Sequence, residues 1–596
     1  MRTLSAGLIF VFLQAATINF ANAQTIKDPR NFNGVWLYKV GMSRGIKNTT
    51  NFPGTQKDYT YTEFKKAYPF IQGILNPIMW RKLEPRPGKF NWNDFDASLN
   101  IMANAGFYIN LMIWVGPSSP EWLYTDMGVE KVFTDRKKEN MPFYPNYKNP
   151  VYKERWYKMI DAVAAHIETL PKKTRNNIII YQSAEGTTGD EGPFKGASLE
   201  GSTQYYFTTD DAWWVNFKRD EWKHLYDIYT IEKNPPVHLI FNGTESDEEL
   251  KWIKANTPNI WKKANNIGHV YQANADAPKK VTLDPLINVT VPGTNKTKIR
   301  VRDEFDVHQA PTYAIIPTQY AYWTALHSLH FGLDMWATHN NEELFDPANR
   351  TAFEFFQKYG GYKNPAFALG AFCALRDGLD ANDFKRFPAE KFGAGTLENK
   401  KEGMQRTVNI AKAFAKQGAK QGDPRGSMGG QTNNHHAKAI NDVNWNIFRS
   451  NYQRYITQYN PNETSIGYWS VGNIKQPEGR FARGFDHTSG KDAMYFNVDD
   501  KLFKNFPNNG AKKVKIRISY FDNGGKWKLV YDAVNNKNKT AYEQTNTNTG
   551  KWKDITIPVT DAYFGNRLEH GTDIALINSI TNGKDAIFHM VEVIKE

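Results

Sequence analysis

The sequence predicts an α/β protein whose largest part is a (β/α)8 TIM barrel, followed by a helical or irregular segment and a C-terminal antiparallel β-sandwich. Three observations carry this prediction. Residues 24–350 alternate short apolar runs of β type with longer helical stretches, which is the pattern of a parallel sheet. Residues 351–470 lack that alternation, and from residue 471 short alternating runs are separated by turn residues. A chain of 596 residues is too long for one core, so we expect two or three domains.

Eight apolar runs predict the strands of the barrel. In chain order they are Gly34–Val40, Gly73–Trp80, Tyr108–Val115, Ile178–Gln182, Val237–Phe241, His269–Ala273, Ile299–Asp303 and Gly332–Trp336. Helical stretches separate them, for example residues 92–105, 152–170, 211–233 and 317–330. Barrels of this kind carry their active sites at the C-terminal ends of the strands, so functional side chains are expected there.

The remainder of the chain predicts a connecting region over residues 351–470 and a sandwich over residues 471–596. In the connecting region, Ala366–Leu375 is predicted as an apolar helix, and residues 442–459 have helical spacing. The sandwich is a candidate carbohydrate-binding module, with Tyr520, Trp527 and Trp552 as candidate exposed aromatic residues. The alternative is that these three rings form the core of the sandwich.

The N-terminus predicts a cleaved secretory signal peptide over residues 1–23. Arg2 precedes the apolar run Leu8–Leu13, and the small residues Ala21 and Ala23 fit cleavage before Gln24. The apolar run is too short for an ordinary membrane helix, and no later stretch is long enough. We therefore expect a secreted or periplasmic protein with no membrane span.

The net charge and the aromatic content indicate which class of molecule the protein binds. The formal net charge is +13 and 14% of residues are aromatic, a combination that suits sugar rings carrying sulfate or carboxylate groups. The alternative is that the lysines only keep the surface soluble. No nucleic-acid-binding motif is present, so no nucleic-acid partner is predicted. The single cysteine, Cys373, excludes a disulfide framework within the chain.

Two glutamates are predicted to carry the chemistry. Glu185 follows the fourth predicted strand, where the buried run breaks into a polar, glycine-rich loop, and Glu304 ends the seventh. Retaining glycoside hydrolases need two carboxyl groups about 5–5.5 Å apart, one as acid/base and one as nucleophile. Strands four and seven face each other across the mouth of an eight-stranded barrel. We therefore predict Glu185 as the acid/base, presented at the mouth, and Glu304 as the nucleophile. Alternatives are Asp190 and Glu191 for the acid, and Asp303 and Asp306 for the nucleophile.

The segments around these residues resemble retaining glycoside hydrolases of clan A, which place their catalytic glutamates on strands four and seven. Residues 80–92, with Arg81 and Glu84-Pro85, resemble the strand-two segment of family 42 and family 35 β-galactosidases. Residues 116–122 resemble the strand-three loop of the same groups. The resemblance covers about residues 30–345. Ala184 departs from it, because clan A usually has Asn there, and that Asn contacts the sugar 2-hydroxyl. The departure indicates either an unusual substrate at that position or a different residue as the acid.

Further residues at the predicted strand ends are candidates for substrate binding. Arg81 could keep the nucleophile ionised, with a salt bridge in the barrel wall as the alternative. The resemblance makes Trp336 the platform on which the sugar stacks. Trp114 could line the cleft or pack. Candidate partners for hydroxyl or sulfate groups are Asn242, His269, Gln272 and His308.

These observations predict a secreted retaining glycoside hydrolase that uses a two-glutamate double displacement. The resemblance and the positive charge point to a galactan-type polysaccharide or its oligosaccharides, extending to sulfated galactans such as agar or carrageenan. No cofactor and no metal are predicted, since His435 and His436 are adjacent and have no spaced carboxylate partner. Two alternatives remain: a glycan-binding barrel without catalysis, and a polysaccharide lyase.

Overall fold

The computed structural model describes most of the chain with several gaps. The described residues are 32–48, 57–136, 143–187, 192–229, 236–241, 247–258, 260–263, 267–272, 300–306, 313, 315–339, 342–420, 443–503, 510–579 and 583–596. The predicted signal peptide lies outside these ranges and stays a prediction.

A closed barrel of eight parallel strands confirms the predicted fold class. The strands are β1 (Gly34–Tyr38), β2 (Ile71–Met79), β3 (Tyr108–Trp114), β4 (Ile178–Gln182), β5 (His238–Phe241), β6 (Trp261–Lys263), β7 (Val301–Phe305) and β8 (Met335–His339). They pair in sequential order, and β8 closes the barrel on β1. Seven of the eight therefore overlap the predicted runs.

The sixth strand is the exception, because it is Trp261–Lys263 and not residues 269–273. Its short sequence, one tryptophan followed by two lysines, does not read as an apolar run. Trp261 nevertheless belongs in the barrel interior, where it stacks on His238 at 3.9 Å between ring centroids. Tyr271, from the predicted run, packs instead against Tyr320 outside the barrel.

Helices surround the barrel and continue beyond it. The longer ones are α1 (Tyr61–Ala67), α2 (Trp92–Asn104), α3 (Pro150–Ile167), α4 (Ala212–Ile228), α5 (Asp247–Asn256), α6 (Pro317–His330), α7 (Arg350–Tyr359) and α8 (Lys400–Ala413). Shorter helices are Trp80–Leu83, Trp122–Thr125, Lys172–Asn177, Glu342–Phe345, Ala389–Phe392 and Pro461–Thr464. No helix within the described ranges combines the length and the apolarity that crossing a membrane requires.

Side chains of alternate strand residues fill the barrel interior. Trp36 on β1 is fully buried there, together with Met112, Ile240 and Trp261. Gly73 on β2 makes room for it, since a Cβ at Gly73 would lie only 2.4 Å from the Trp36 ring. A glycine is therefore required by packing at this position.

The C-terminal region forms a separate antiparallel sheet that curls into a nearly closed sandwich. Its strands are β9 (Gly370–Ala374), β10 (Tyr452–Arg454), β11 (Ile456–Gln458), β12 (Ile466–Tyr468), β13 (Ala482–Gly484), β14 (Ala493–Val498), β15 (Lys512–Phe521), β16 (Lys526–Ala533), β17 (Asn536–Thr545), β18 (Trp552–Ala562), β19 (Ile574–Asn578) and β20 (Ile587–Lys595). Two-residue or three-residue strands also pair outside the two sheets: Gly45–Ile46 with Tyr59–Thr60, Lys131–Phe133 with Phe143–Pro145, and Leu379–Asp380 with Val443–Asn444.

Two local predictions for the connecting region are wrong. Residues 366–375 contain strand β9 instead of an apolar helix, because Gly370–Ala374 is paired on one side with β10 and on the other with β20. The described part of the predicted range 442–459 likewise contains short strands, at Val443–Asn444, Tyr452–Arg454 and Ile456–Gln458. Pairing in the sheet overrides the helical propensity of the alanine-rich and leucine-rich run.

The three candidate aromatic residues of the sandwich are core residues and not an exposed binding surface. Trp527 is fully buried in the sandwich core, and Tyr520 packs beside it. Trp552 is 9% exposed, and its indole N–H donates to the Val471 carbonyl. These three rings are therefore core residues and are closed to a polysaccharide.

Candidate active site

Glu304 lies near the C-terminal end of β7 and is surrounded by positive charge. Its Oε1 is 3.1 Å from Nη1 of Arg302 and 4.0 Å from Nζ of Lys263, the last residue of β6. Arg302 is fully buried and donates through Nη2 to Oε1 of Gln182 on β4 at 2.7 Å. Because β5 and β6 lie between β4 and β7 in the barrel wall, Arg302 connects two non-adjacent strands through the interior, directly beside the predicted nucleophile.

This surrounding charge keeps Glu304 ionised. Burial alone would raise the pKa of Glu304, but Lys263 and Arg302, and then His339 and His269, lower it to about 2. The side chain is 17% exposed, so the carboxylate is sheltered without being sealed from solvent. An ionised, partly desolvated carboxylate at a barrel mouth is suited to act as a nucleophile.

Aromatic side chains lie at the ends of β1, β3 and β8, and the one on β8, His339, is close enough to Glu304 to lower its pKa. The rings of Tyr38 and His339 lie 4.6 Å apart, and Tyr38 is 6.4 Å from Trp114 between centroids. Within the described residues, neither Nε1 of Trp114 nor Nε2 of His339 has a hydrogen-bond partner. Both nitrogens are buried, and Trp114 packs in the interior cluster of the barrel. That Trp114 lines the cleft stays a prediction.

Glu185 is not presented at the mouth, which corrects the predicted position. The residue is fully buried, its carboxylate accepts a hydrogen bond from the indole N–H of Trp222, and it is hydrogen-bonded to the carboxyl group of Glu221. Both partners belong to α4. The physical reason is alternation: Ala184 contributes to the interior cluster, so the next side chain points outward toward the helices.

The pair Glu185–Glu221 predicts a specific dependence of stability on pH. Burial, followed by the charge of Glu185 and the hydrogen bond with it, raises the pKa of Glu221 well above its ordinary value of 4.5. The folded protein therefore binds the proton of Glu221 more tightly than the unfolded chain does. The stability that this proton contributes is complete below pH 4.5 and is lost as pH rises through the higher folded-state pKa.

We expect Glu221→Gln to remove that loss. Relative to the parent protein, the unfolding free energy of the variant should increase by up to about 1.4 kcal/mol per pH unit above the ordinary glutamate pKa. Urea unfolding between pH 4 and 9 measures the difference. A difference that does not change with pH would show that Glu221 titrates normally in the folded protein.

Arg81 contacts neutral groups instead of the nucleophile. Its Nη1 donates to the Pro117 carbonyl at 2.8 Å, and its Nη2 is 3.3 Å from the Met79 sulfur. In the part of the chain that the structure describes, no carboxylate forms an ion pair with it. Lys263 and Arg302 have the role beside Glu304 that was predicted for Arg81. The Arg81 guanidinium is therefore available to an anionic group.

Trp336 does not form a sugar platform. It is fully buried, its indole N–H donates to the Gly268 carbonyl at 3.0 Å, and its ring packs against Phe305 and Phe353. Strand β8 extends three residues beyond the predicted end, and its interior positions are Met335, Ala337 and His339. Trp336 therefore faces the surrounding helices, and His339 takes the place at the mouth.

The other predicted binding residues divide into two groups. Gln272 and His269 are described, and Gln272 is buried after β6. Nε2 of His269 lies 3.7 Å from Asp303. Burial lowers the pKa of the His269 imidazole, but Asp303 and Glu304 outweigh burial and raise it. Asn242 and His308 lie outside the described residues, as do the alternative acids Asp190 and Glu191.

Sequence reasoning missed several residues beside Glu304. Arg302 could have been found, since it lies two positions before Glu304 on the same strand face. Gln182 could have been found in the same way, since it lies two positions before Ala184 and therefore points to the interior. Lys263 could not have been found, because the sixth strand was assigned to a later segment.

The family model of glycoside hydrolase family 42, described as beta-galactosidase, matches residues 72–178. This segment runs from β2 to the beginning of β4. This part of the closed parallel barrel is therefore similar in sequence to the family 42 glycoside hydrolases. No curated protein matches the chain by sequence.

Solved structures with a similar arrangement include several glycoside hydrolases. An exo-beta-1,4-mannosidase from Opitutaceae bacterium strain TAV5 has 10% identity and a TM-score of 0.30, and the match covers 55% of this chain and 56% of that one. A beta-galactosidase from Marinomonas ef1 has 13% identity, a TM-score of 0.31, and coverage of 51% and 53%. A beta-galactosidase from Halorubrum lacusprofundi has 10% identity, a TM-score of 0.34, and coverage of 63% and 65%. The chain thus spans about half the length of the first two, and likeness at this level carries no argument about substrate.

Proposed function

We propose that this protein is a retaining glycoside hydrolase in which Glu304 is the nucleophile. The observation that carries the proposal is the ionised Glu304 carboxylate beside Lys263 and Arg302, at the C-terminal end of a barrel strand. In the proposed reaction a Glu304 oxygen attacks the anomeric carbon, while an acid protonates the departing glycosidic oxygen. Water then attacks the covalent glycosyl-enzyme, and the same acid, now a base, removes the proton of that water.

We propose that the proton donor is among the carboxylates that follow β4: Glu185, Asp190 and Glu191. Glu185 would have to leave Trp222 and Glu221 to reach a substrate, since both now enclose its carboxylate. Glycosides with activated leaving groups distinguish the three. The conservative amide variant of the true acid should keep fast glycosylation of such substrates, lose turnover of unactivated ones, and regain product formation with azide.

For the substrate, we propose a galactan-type polysaccharide or oligosaccharide, including sulfated galactans. The family 42 match supports the galactoside, and the Arg81 guanidinium, without a carboxylate partner in the described ranges, supports an anionic group. Export through the signal peptide over residues 1–23 is part of the same proposal. A screen of neutral and sulfated galactans with product sizing tests it.

The same screen separates the two alternatives. A lyase would produce an unsaturated product that absorbs in the ultraviolet, and a binding protein would retain the polysaccharide without releasing a reducing end. Release of reducing ends without that absorbance supports hydrolysis. Binding without any new reducing end from any galactan would contradict the proposal.

Removing the charge of Lys263 should shift the acidic limb of the pH–rate profile. Lys263 is the strongest influence that lowers the pKa of Glu304, so Lys263→Met should raise that pKa. Because Glu304 is inactive when protonated, we expect the acidic limb of kcat/KM to move to higher pH by roughly one unit. Lys263→Arg is the control and should leave the limb close to its original position. An unchanged limb in Lys263→Met would argue that another group controls it.

A further inference from the structure

A cleft on the outer face of the C-terminal sheet is separate from the barrel mouth. It has a volume of about 480 Å³ and lies over strands β14, β19, β16 and β17. We call it the outer cleft, and its defining residues are Tyr495, Lys528, Val530, Lys537, Arg567 and Ala575.

The register of the sheet builds the floor of the outer cleft. Tyr495 on β14 is opposite Ala575 on β19, Ala575 is opposite Val530 on β16, and Val530 is opposite Thr540 on β17. These side chains thus form one row across four adjacent strands. Val530 and Ala575 pack with Leu568 in a small apolar cluster apart from the sandwich core. Val530 and Ala575 are themselves buried, so the apolar strip that a ligand can reach consists of the half-buried Tyr495 ring and Ile577. A strip of this kind suits the apolar face of a sugar ring.

Positive charge surrounds this floor. Within the described residues, Lys528 and Lys537 have no carboxylate partner. Arg567 binds Asp532 through Nε and Nη2, and its Nη1 makes no hydrogen bond there. The single acid that lines the cleft, Glu569, accepts a hydrogen bond from the Tyr495 hydroxyl at 2.7 Å. Two lysines without a carboxylate partner in the described ranges and the remaining N–H groups of the ion-paired Arg567 thus line the cleft, and its one lining carboxylate, Glu569, is already engaged.

We propose that the outer cleft is a second glycan site, which binds polysaccharide chains carrying sulfate or carboxylate groups without cleaving them. The apolar strip binds the sugar ring, and Lys528 and Lys537, together with Nη1 of Arg567, bind the anionic groups. The hydroxyl of Thr540 and the exposed side chain of Asn538 stand at the same rim, where they can meet ring hydroxyls. The strip favours a sugar over a nucleic acid, because no unpaired aromatic stack for bases lines the cleft. The proposal goes beyond the reaction at the barrel mouth.

Affinity electrophoresis of the full-length protein tests this site. The probes are a sulfated galactan, neutral agarose and double-stranded DNA. Lys528→Ala/Lys537→Ala should weaken binding of the sulfated galactan roughly three- to thirtyfold, with little change toward neutral agarose. Lys513→Ala/Lys551→Ala is the matched control, since it removes two exposed lysines outside the cleft, one on β15 and one directly before β18. The control should bind as the parent does.

The outcomes separate this site from the catalytic proposal. Turnover of a short soluble glycoside should be equal in both double variants, because neither touches the barrel. If both double variants bound the sulfated galactan equally weakly, the effect would come from net charge alone, and the proposed site would be overturned. Preferential loss of DNA binding would assign the cleft to nucleic acid and also overturn it. If no galactan is hydrolysed and the cleft variant still loses binding, the proposed reaction fails and the second glycan site stands.

Discussion

Replacing Glu304 with glutamine should abolish hydrolysis while leaving the fold intact. The amide has the same size as the carboxylate, but it cannot attack an anomeric carbon, so kcat should fall by at least roughly 10³-fold. Lys263 and Arg302 would lose their shared counter-charge, and we expect only a modest change in the free energy of unfolding. Initial rates on the best substrate of the galactan screen measure the effect.

Asp303→Asn is the control for this substitution. Asp303 was the neighbouring alternative for the nucleophile, but it is fully buried, and its Oδ2 accepts a hydrogen bond from the Gly268 backbone N–H at 2.7 Å. Its loss should alter stability more than chemistry. Retained turnover in Glu304→Gln, together with loss in Asp303→Asn, would exchange the two assignments.

Replacing Trp36 with alanine should be among the most destabilising single substitutions in the barrel. Trp36 is fully buried in the interior, and its indole N–H donates to the Phe32 carbonyl at 2.9 Å. The neighbouring Gly73 has no side chain with which to fill the resulting cavity, so we expect a loss of about 3–5 kcal/mol in unfolding free energy. Urea unfolding followed by tryptophan fluorescence measures it.

Trp213→Ala provides the comparison for that loss. Trp213 is half-buried on α4 and stacks on Phe217 at the surface of the helical layer. Its removal opens the site to solvent instead of leaving a closed cavity, so the loss should be clearly smaller. Equal losses would mean that the barrel interior relaxes around position 36 and is not tightly packed.

Much of the barrel could be predicted because its strands carry their own signal. Runs such as Ile178–Gln182 are rich in β-branched residues and end in polar loops, which marks both the strand and the edge where chemistry occurs. Strand β6 carries no such signal, since a three-residue strand with two lysines is recognisable only through its neighbours in the closed barrel. The sequence analysis did not identify Lys263 as a site residue for that reason.

The direction of a side chain was harder to predict than its position in the chain. Glu185 and Glu304 both lie at strand ends, yet one points to the helices and the other to the interior. Alternation from Ile180 through Ala184 carries this information, but only when the backbone stays extended beyond the last paired residue. The prediction for Trp336 was wrong for the same reason, since Met335 and Ala337 occupy the interior positions of β8 and the Trp336 side chain between them points to the helices.

Trapping the covalent intermediate tests the central claim most directly. A 2-deoxy-2-fluoro-β-galactoside with an activated leaving group slows the release of a glycosyl-enzyme, so the protein can be digested and the labelled peptide identified by mass spectrometry. The account predicts a glycosyl adduct on Glu304 in the parent protein and none in Glu304→Gln. An adduct on any other carboxylate, or a first-formed product with inverted anomeric configuration, would contradict it.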